Sequence, residues 1–159
     1  MQEEQRNLVQ NGPAPAPDRS GLLHLALVLA RIHHARLLGI DANGVMALPG
    51  VARVMTARDV RGTNRLFAPQ GTPHSLNRGF EQPVICDDTI RRYGDIVAVV
   101  AASTRRVARE AAARIKVACR PLRAMLNFAE AARPGAPPVH EGIPNVFMEQ
   151  PLYKGQDPR

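Results

Sequence analysis

The stretch IVAVVAA (Ile96–Ala102), followed by Ser103, by TRRVAREAAARI (Thr104–Ile115) and by KVACR (Lys116–Arg120), decides the fold of this chain. Seven successive uncharged apolar residues, apolar on both alternating faces, describe a strand buried on both sides. In the segment after Ser103 the period changes from two to 3.6. Val107, Ala108, Ala111 and Ile115 then share one face, while Arg106, Arg109 and Arg114 lie mostly off it. That is an amphipathic helix, with the Ser103 hydroxyl expected at its N-cap. Lys116–Arg120 reads as a further strand, which Pro121 closes.

Working outward, LLHLALVLARI (Leu22–Ile32) is apolar on both faces and reads as another central strand. Beyond the polar corner His33-His34, Ala35–Asp41 offers a second short run, and pairing across that corner would bury both. Asp41 can cap a short helical turn that ends at Pro49-Gly50. Val51–Thr56 then reads as a strand, Ala57–Val60 as a turn, Val84–Cys86 as a strand and Asp87-Asp88 as a turn. Asn127 can cap a last short helix, Phe128–Arg133. The pattern predicts an α+β fold with a mixed sheet, one main amphipathic helix and short helices. Its core should bring together Leu25, Leu27, Val97, Val99, Val107, Ala111 and Ile115.

The flanks differ in composition. Residues 1–20 alternate Pro13, Pro15 and Pro17 with alanine, which excludes a helix interior or a central strand and predicts a disordered leader. One domain is expected over residues 21–143, since 159 residues suffice for a single well-filled core. Within it, residues 62–82 form a long irregular stretch. Residues 144–159 read as an extended tail. Leu66, Phe67, Leu76 and Phe80 in the long loop, with Val146, Phe147, Met148, Leu152 and Tyr153 in the tail, are more apolar than solvated loops need. They predict an interface, and self-association is a candidate use for it.

Net charge is +7, from 21 basic and 14 acidic residues, and all but Lys116 and Lys154 of the basic ones are arginine. The arginines are spread along the chain. Arg105, Arg106 and Arg109 could follow a phosphate backbone, but no aromatic stands nearby to stack a base, so a solvated helix face is the preferred reading. A free-standing basic module for nucleic acid or an acidic protein remains the alternative. No segment reaches the length of a membrane span, and Cys86 and Cys119, in apolar surroundings, suit buried free thiols of a cytoplasmic protein.

Chemistry-bearing patterns are sparse. The junction Ala101-Ala102-Ser103-Thr104 lacks the glycines of a phosphate cradle. Adjacent His33 and His34 on a strand would point to opposite faces and could not share a metal. Asp87, Asp88 and Asp95 suit turn chemistry more than a cation site. Ser75, His74 and Glu81 could be drawn as a triad, but all lie in the loop without an elbow motif.

Three stretches then carry a resemblance: LHLALVLARIHHARLLGID (Leu23–Asp41), ALPGVARVMTARDV (Ala47–Val60) and QPVICDDTIRRYGDIVAVVAAS (Gln82–Ser103). In order and spacing they resemble the α/β hammerhead domain of the xanthine dehydrogenase and aldehyde oxidase family. With PNVFMEQPLYKGQD (Pro144–Asp157) they are most similar to its aldehyde oxidoreductases of the sulfate-reducer type. The resemblance implies an oxidoreductase with a molybdenum–molybdopterin centre and iron–sulfur clusters, sometimes with flavin. It implies a structural role for this segment between the iron–sulfur and molybdopterin-binding domains, which would be its partners. The cysteine-rich clusters and pterin contacts of that family match no position here, so no catalytic, cofactor-binding or metal residue is assigned, and the expected entity is a fragment or separately encoded piece.

Overall fold

The computed structural model describes residues 20–66, 82–146 and 155. The elements are β1 (His24–Leu29), β2 (Ala35–Asp41), β3 (Val51–Met55), a 3-10 turn at Ala57–Asp59, β4 (Thr89–Ile90), β5 (Ile96–Ala102), α1 (Arg105–Arg114), β6 (Lys116–Pro121) and α2 (Phe128–Ala131). The α+β class holds.

The strands divide between two three-stranded sheets, ordered β1-β5-β3 and β4-β2-β6, and every pairing in them is antiparallel. A single mixed sheet is therefore not what forms. The succession β5, α1, β6 looks like a parallel crossover in sequence, but β6 enters the other sheet and pairs with β2. The corner at His33-His34 is likewise not a hairpin. It passes the chain from one sheet to the other, with the nearly and fully buried Ala30 and Ala35 at its ends, where small side chains let the two sheets approach.

β5 is the centre, and all of it beyond Ile96 is buried. Ala98 and Val100 pack with Val45, Ala111 and Ile115 in one cluster under α1. Val97 belongs to a second cluster, with Ala30, Ala35, Cys86 and Ile90. The expected common core is thus two clusters, and four of its expected members, Leu25, Leu27, Val99 and Val107, are in neither; Val99 is nonetheless buried, whereas Leu25 and Leu27 are 63% and 50% exposed. Val107 is only half-buried. The reason is geometric. In register, Ala26 and Val28 stand beside Val100 and Ala98 and point with them toward α1, so Leu25 and Leu27, beside Ala101 and Val99, point the other way. That side is buried along β5, where Val97, Val99 and Ala101 lie, but open at Leu25 and Leu27.

Other expectations shift locally. Thr104, not Ser103, caps α1, its hydroxyl accepting from the Val107 amide at 3.2 Å. The Ser103 amide instead donates to the Gly50 carbonyl at 2.8 Å and prolongs the β3–β5 edge. Val84–Cys86 is not a strand. Asn64 takes the place of a strand partner there: its amide nitrogen donates to the Ile85 carbonyl at 2.7 Å and its Oδ1 accepts from the Ile85 amide at 3.0 Å. Asn127 caps α2 as expected, accepting from Ala129 and Glu130.

Candidate functional site

The acidic group does not assemble into a cation site. Asp88 pairs with Arg36, and Asp87 with Arg65 at 2.7 Å. Asp95 accepts from the amides of Arg91 and Arg92 at 2.9 and 3.1 Å and from Arg92 Nε at 3.1 Å, closing the turn in which Gly94 has φ +93°. Each carboxylate is already engaged by a guanidinium or a turn amide. Among the described residues no group of three His, Cys, Asp or Glu side chains could hold a metal ion.

The two corner histidines part company. The His33 ring lies against Tyr93, centroids 5.3 Å apart, while His34 Nδ1 donates to the Arg123 carbonyl at 2.7 Å. Of the arginines on α1, Arg106 pairs with Glu110 at 2.8 Å and Arg109 borders a groove described below. The residues of the candidate triad, His74, Ser75 and Glu81, lie outside the described residues.

Both thiols are free. Burial pushes the Cys86 thiol up to about 11, with Asp95 and Asp87 adding to the rise and a backbone hydrogen bond to Asp88 opposing it. An iron–sulfur ligand must be a thiolate, and such clusters take cysteines in fours. Two cysteines, one held firmly protonated, do not fit that group, and no redox step is assigned to this chain.

Among the concave features of the described residues, three lie near the candidate groups. One, about 670 Å³, is an apolar groove between β1, α1 and β6, floored by Val28, Ile90, Ile115 and Val117 and bordered by Arg31 and Arg109. A small pocket of about 180 Å³ gathers Arg91, Arg92 and His140. Burial first, then the two arginines and His34, holds His140 below its ordinary value. A third hollow, about 380 Å³, lies under α2. Asn145 shapes that end of the molecule: its Oδ1 accepts from the Val139 amide at 2.9 Å and its Nδ2 donates to the carbonyls of Ala131 and Pro137 at 3.0 Å. Sequence reasoning passed over both Asn64 and Asn145, because a side chain that brackets distant backbone has no local periodicity to announce it.

The short motifs prove to be turn devices. In LPGV, Gly50 has φ +83°. In TARD, the amide and hydroxyl of Thr56 donate to Asp59 at 2.8 and 3.0 Å, and these bonds hold the Asp59 carboxyl below the usual range. Residues 16–123 match the family model described as the aldehyde oxidase and xanthine dehydrogenase a/b hammerhead domain. The chain belongs to this family. The hammerhead domain is 40% identical over 138 residues to the aldehyde oxidoreductase of Megalodesulfovibrio gigas, covering 87% of this chain and 15% of that protein. It is 33% identical to a xanthine dehydrogenase of Oryza sativa over 76% of this chain and 8% of that one. Among solved structures, the aldehyde oxidoreductase from Desulfovibrio gigas superposes with a TM-score of 0.79 at 39% identity, covering 89% of this chain and 15% of the other. The CO dehydrogenase of Oligotropha carboxidovorans gives 0.66 at 28%, covering 84% and 16%. The hammerhead chain thus spans less than a fifth of the length of these relatives.

Proposed function

We propose that this chain serves as the hammerhead portion of a molybdenum-dependent aldehyde oxidoreductase, a structural element between the iron–sulfur and molybdopterin-binding parts, without turnover of its own. The observation that carries the reading is the likeness in sequence and fold to an aldehyde oxidoreductase along nearly nine-tenths of the chain. The local chemistry agrees with it: carboxylates spent on ion pairs and turns, and a buried thiol kept protonated, are what a scaffold needs. Residues 21–143 form the domain in this reading, and residues 144–159 lead toward the molybdopterin-binding part. No residue of the chain is assigned to catalysis, cofactor binding or metal binding. Free thiols suit the cytoplasm as its location, and no described helix is long and apolar enough to cross a membrane.

Elemental analysis of the purified chain, with a dye-coupled aldehyde oxidation assay, tests the proposal. Neither stoichiometric molybdenum or iron nor dye reduction is expected. Stoichiometric metal or aldehyde-dependent dye reduction by the chain alone would overturn it.

A further inference from the structure

Arg91 stands where β4 gives way to the turn that Asp95 closes, and it is half-buried. Its Nε donates to the Val139 carbonyl and its Nη1 to the Thr89 carbonyl, both at 3.4 Å. These bonds are long for a guanidinium, and they use only two of the five N–H groups that it carries. Arg36, Arg65, Arg92 and Arg106 each have an acidic partner, but among the described residues no carboxylate pairs with Arg91. A half-buried cation is costly to leave uncompensated. Arg91 lines the small pocket of about 180 Å³ together with Arg92 and His140. Asp95 is the carboxylate of that lining, and both its oxygens are engaged, Oδ2 by the amides of Arg91 and Arg92 and Oδ1 by Arg92 Nε. Two guanidiniums against one carboxylate leave one positive charge in excess when His140 is neutral. That excess is felt at His140, where the two arginines, after burial itself, hold the imidazole below its ordinary value. The opposite wall is fixed in place: Asn145 Oδ1 holds the Val139 amide at 2.9 Å, and the Ile143 amide donates to the His140 carbonyl at 3.1 Å. The pocket has the volume of about six waters, which suits a sulfate- or acetate-sized group and excludes a whole nucleotide.

We propose that Arg91, Arg92 and His140 form a binding site for the phosphate or carboxylate group of a small molecule, with Arg91 as its anchor. A planar guanidinium takes either group through two parallel hydrogen bonds, which the donors left over on Arg91 can supply. The charged groups that bear on His140 are Arg91, Arg92 and His34, with Asp95 on the same pocket wall. An anion seated among them offsets the repulsion from the arginines, so the imidazole takes up a proton more readily. By linkage, binding tightens as pH falls through the range in which His140 titrates.

The test titrates the full 159-residue chain with sodium sulfate and, separately, sodium acetate, at an ionic strength held constant with sodium chloride so that general screening does not change. The ring resonances of His140, assigned by comparison with His140→Gln, are followed by NMR. A saturable shift is expected, with a dissociation constant on the order of millimolar and a rise in the pH midpoint of His140. Sulfate keeps its own charge across neutral pH, and its binding should tighten about threefold or more from pH 8 to pH 6. Arg91→Gln should weaken binding about tenfold or more, whereas Arg106→Gln, on α1, should leave it unchanged. Sulfate bound more tightly than acetate assigns a phosphate-type ligand, and the reverse order assigns a carboxylate. A His140 shift that grows linearly with added salt, that the exposed His24 reproduces, or that survives Arg91→Gln at full strength overturns the site. Arg91 also ties Thr89 to Val139, so circular dichroism of the variant comes first. If Arg91→Gln does not fold, Arg92→Gln replaces it with the same weakening expected, and saturation in the wild type already decides whether the site exists.

Discussion

Replacing Ile90 with alanine should cost this domain far more than the same truncation at Leu25, although the sequence alone places Leu25 in the core. Ile90 is one of the two residues of β4, is fully buried, and packs with Ala30, Ala35, Cys86 and Val97. Ile90→Ala removes three carbons, which at about 0.8 kcal/mol each makes about 2.4 kcal/mol of lost transfer energy. The cavity left between the two sheets should raise this to about 3–4 kcal/mol. A domain of this size holds roughly 5–15 kcal/mol in total, and each kcal/mol moves Tm by about 4 °C, so a fall of about 12–16 °C is expected. Leu25→Ala removes as many carbons, but from a side chain 63% exposed, and should cost under about 1 kcal/mol with no cavity. Urea unfolding followed by circular dichroism measures both, read as a shift of midpoint at constant slope. An Ile90→Ala variant within about 1 kcal/mol of the wild type, or a Leu25→Ala variant as unstable as Ile90→Ala, would refute this placement of the core.

Gly50→Ala should destabilise by about 1–2 kcal/mol through its left-handed backbone alone, and more because the new Cβ would lie 2.7 Å from Ser103 Oγ. Adding Ser103→Ala should recover only the part due to that contact, as thermal melts of the single and double variants will report. Thr104→Ala removes the cap of α1 and should cost about 1 kcal/mol with faster exchange at the Val107 amide, whereas Ser103→Ala should leave that exchange unchanged. Cys86 should react slowly with a thiol reagent in the native state near neutral pH and rapidly once unfolded. Its thiol is raised from 9.0 to about 11 in the fold, so above pH 9 the unfolded chain loses the proton first. Its contribution to stability should therefore be constant below pH 9 and fall as pH rises from 9 to about 11. Urea midpoints across that range check the sign, and Cys86→Ala should flatten the slope.

The local devices of this protein were determined by its sequence alone. The period of two in Ile96–Ala102 and of 3.6 in the helix after it is fixed by which side chains must share a face, and both elements form where the pattern places them. Gly50, Asp59 and Gly94 act within a few residues of themselves, through a positive φ or a carboxylate closing a turn, so the motifs that carry them were legible in linear order. Asn127 caps α2 for the same reason. What the tertiary structure decided is every matter of partnership. A strand's pattern says that it has two apolar faces but not which strand lies beside it, so β1 and β2, adjacent in sequence, could be read as a pair when they belong to different sheets. Leu22–Ile32 looked central because both faces are apolar. Only the register with β5 shows that one of them meets α1 while the other carries Leu25 and Leu27, which stay half exposed or more. Asn64 and Asn145 belong here too, since the backbone groups that they bracket lie up to 21 residues away. Apolar character is a property of the residue, whereas burial is a property of what folding and assembly bring against it.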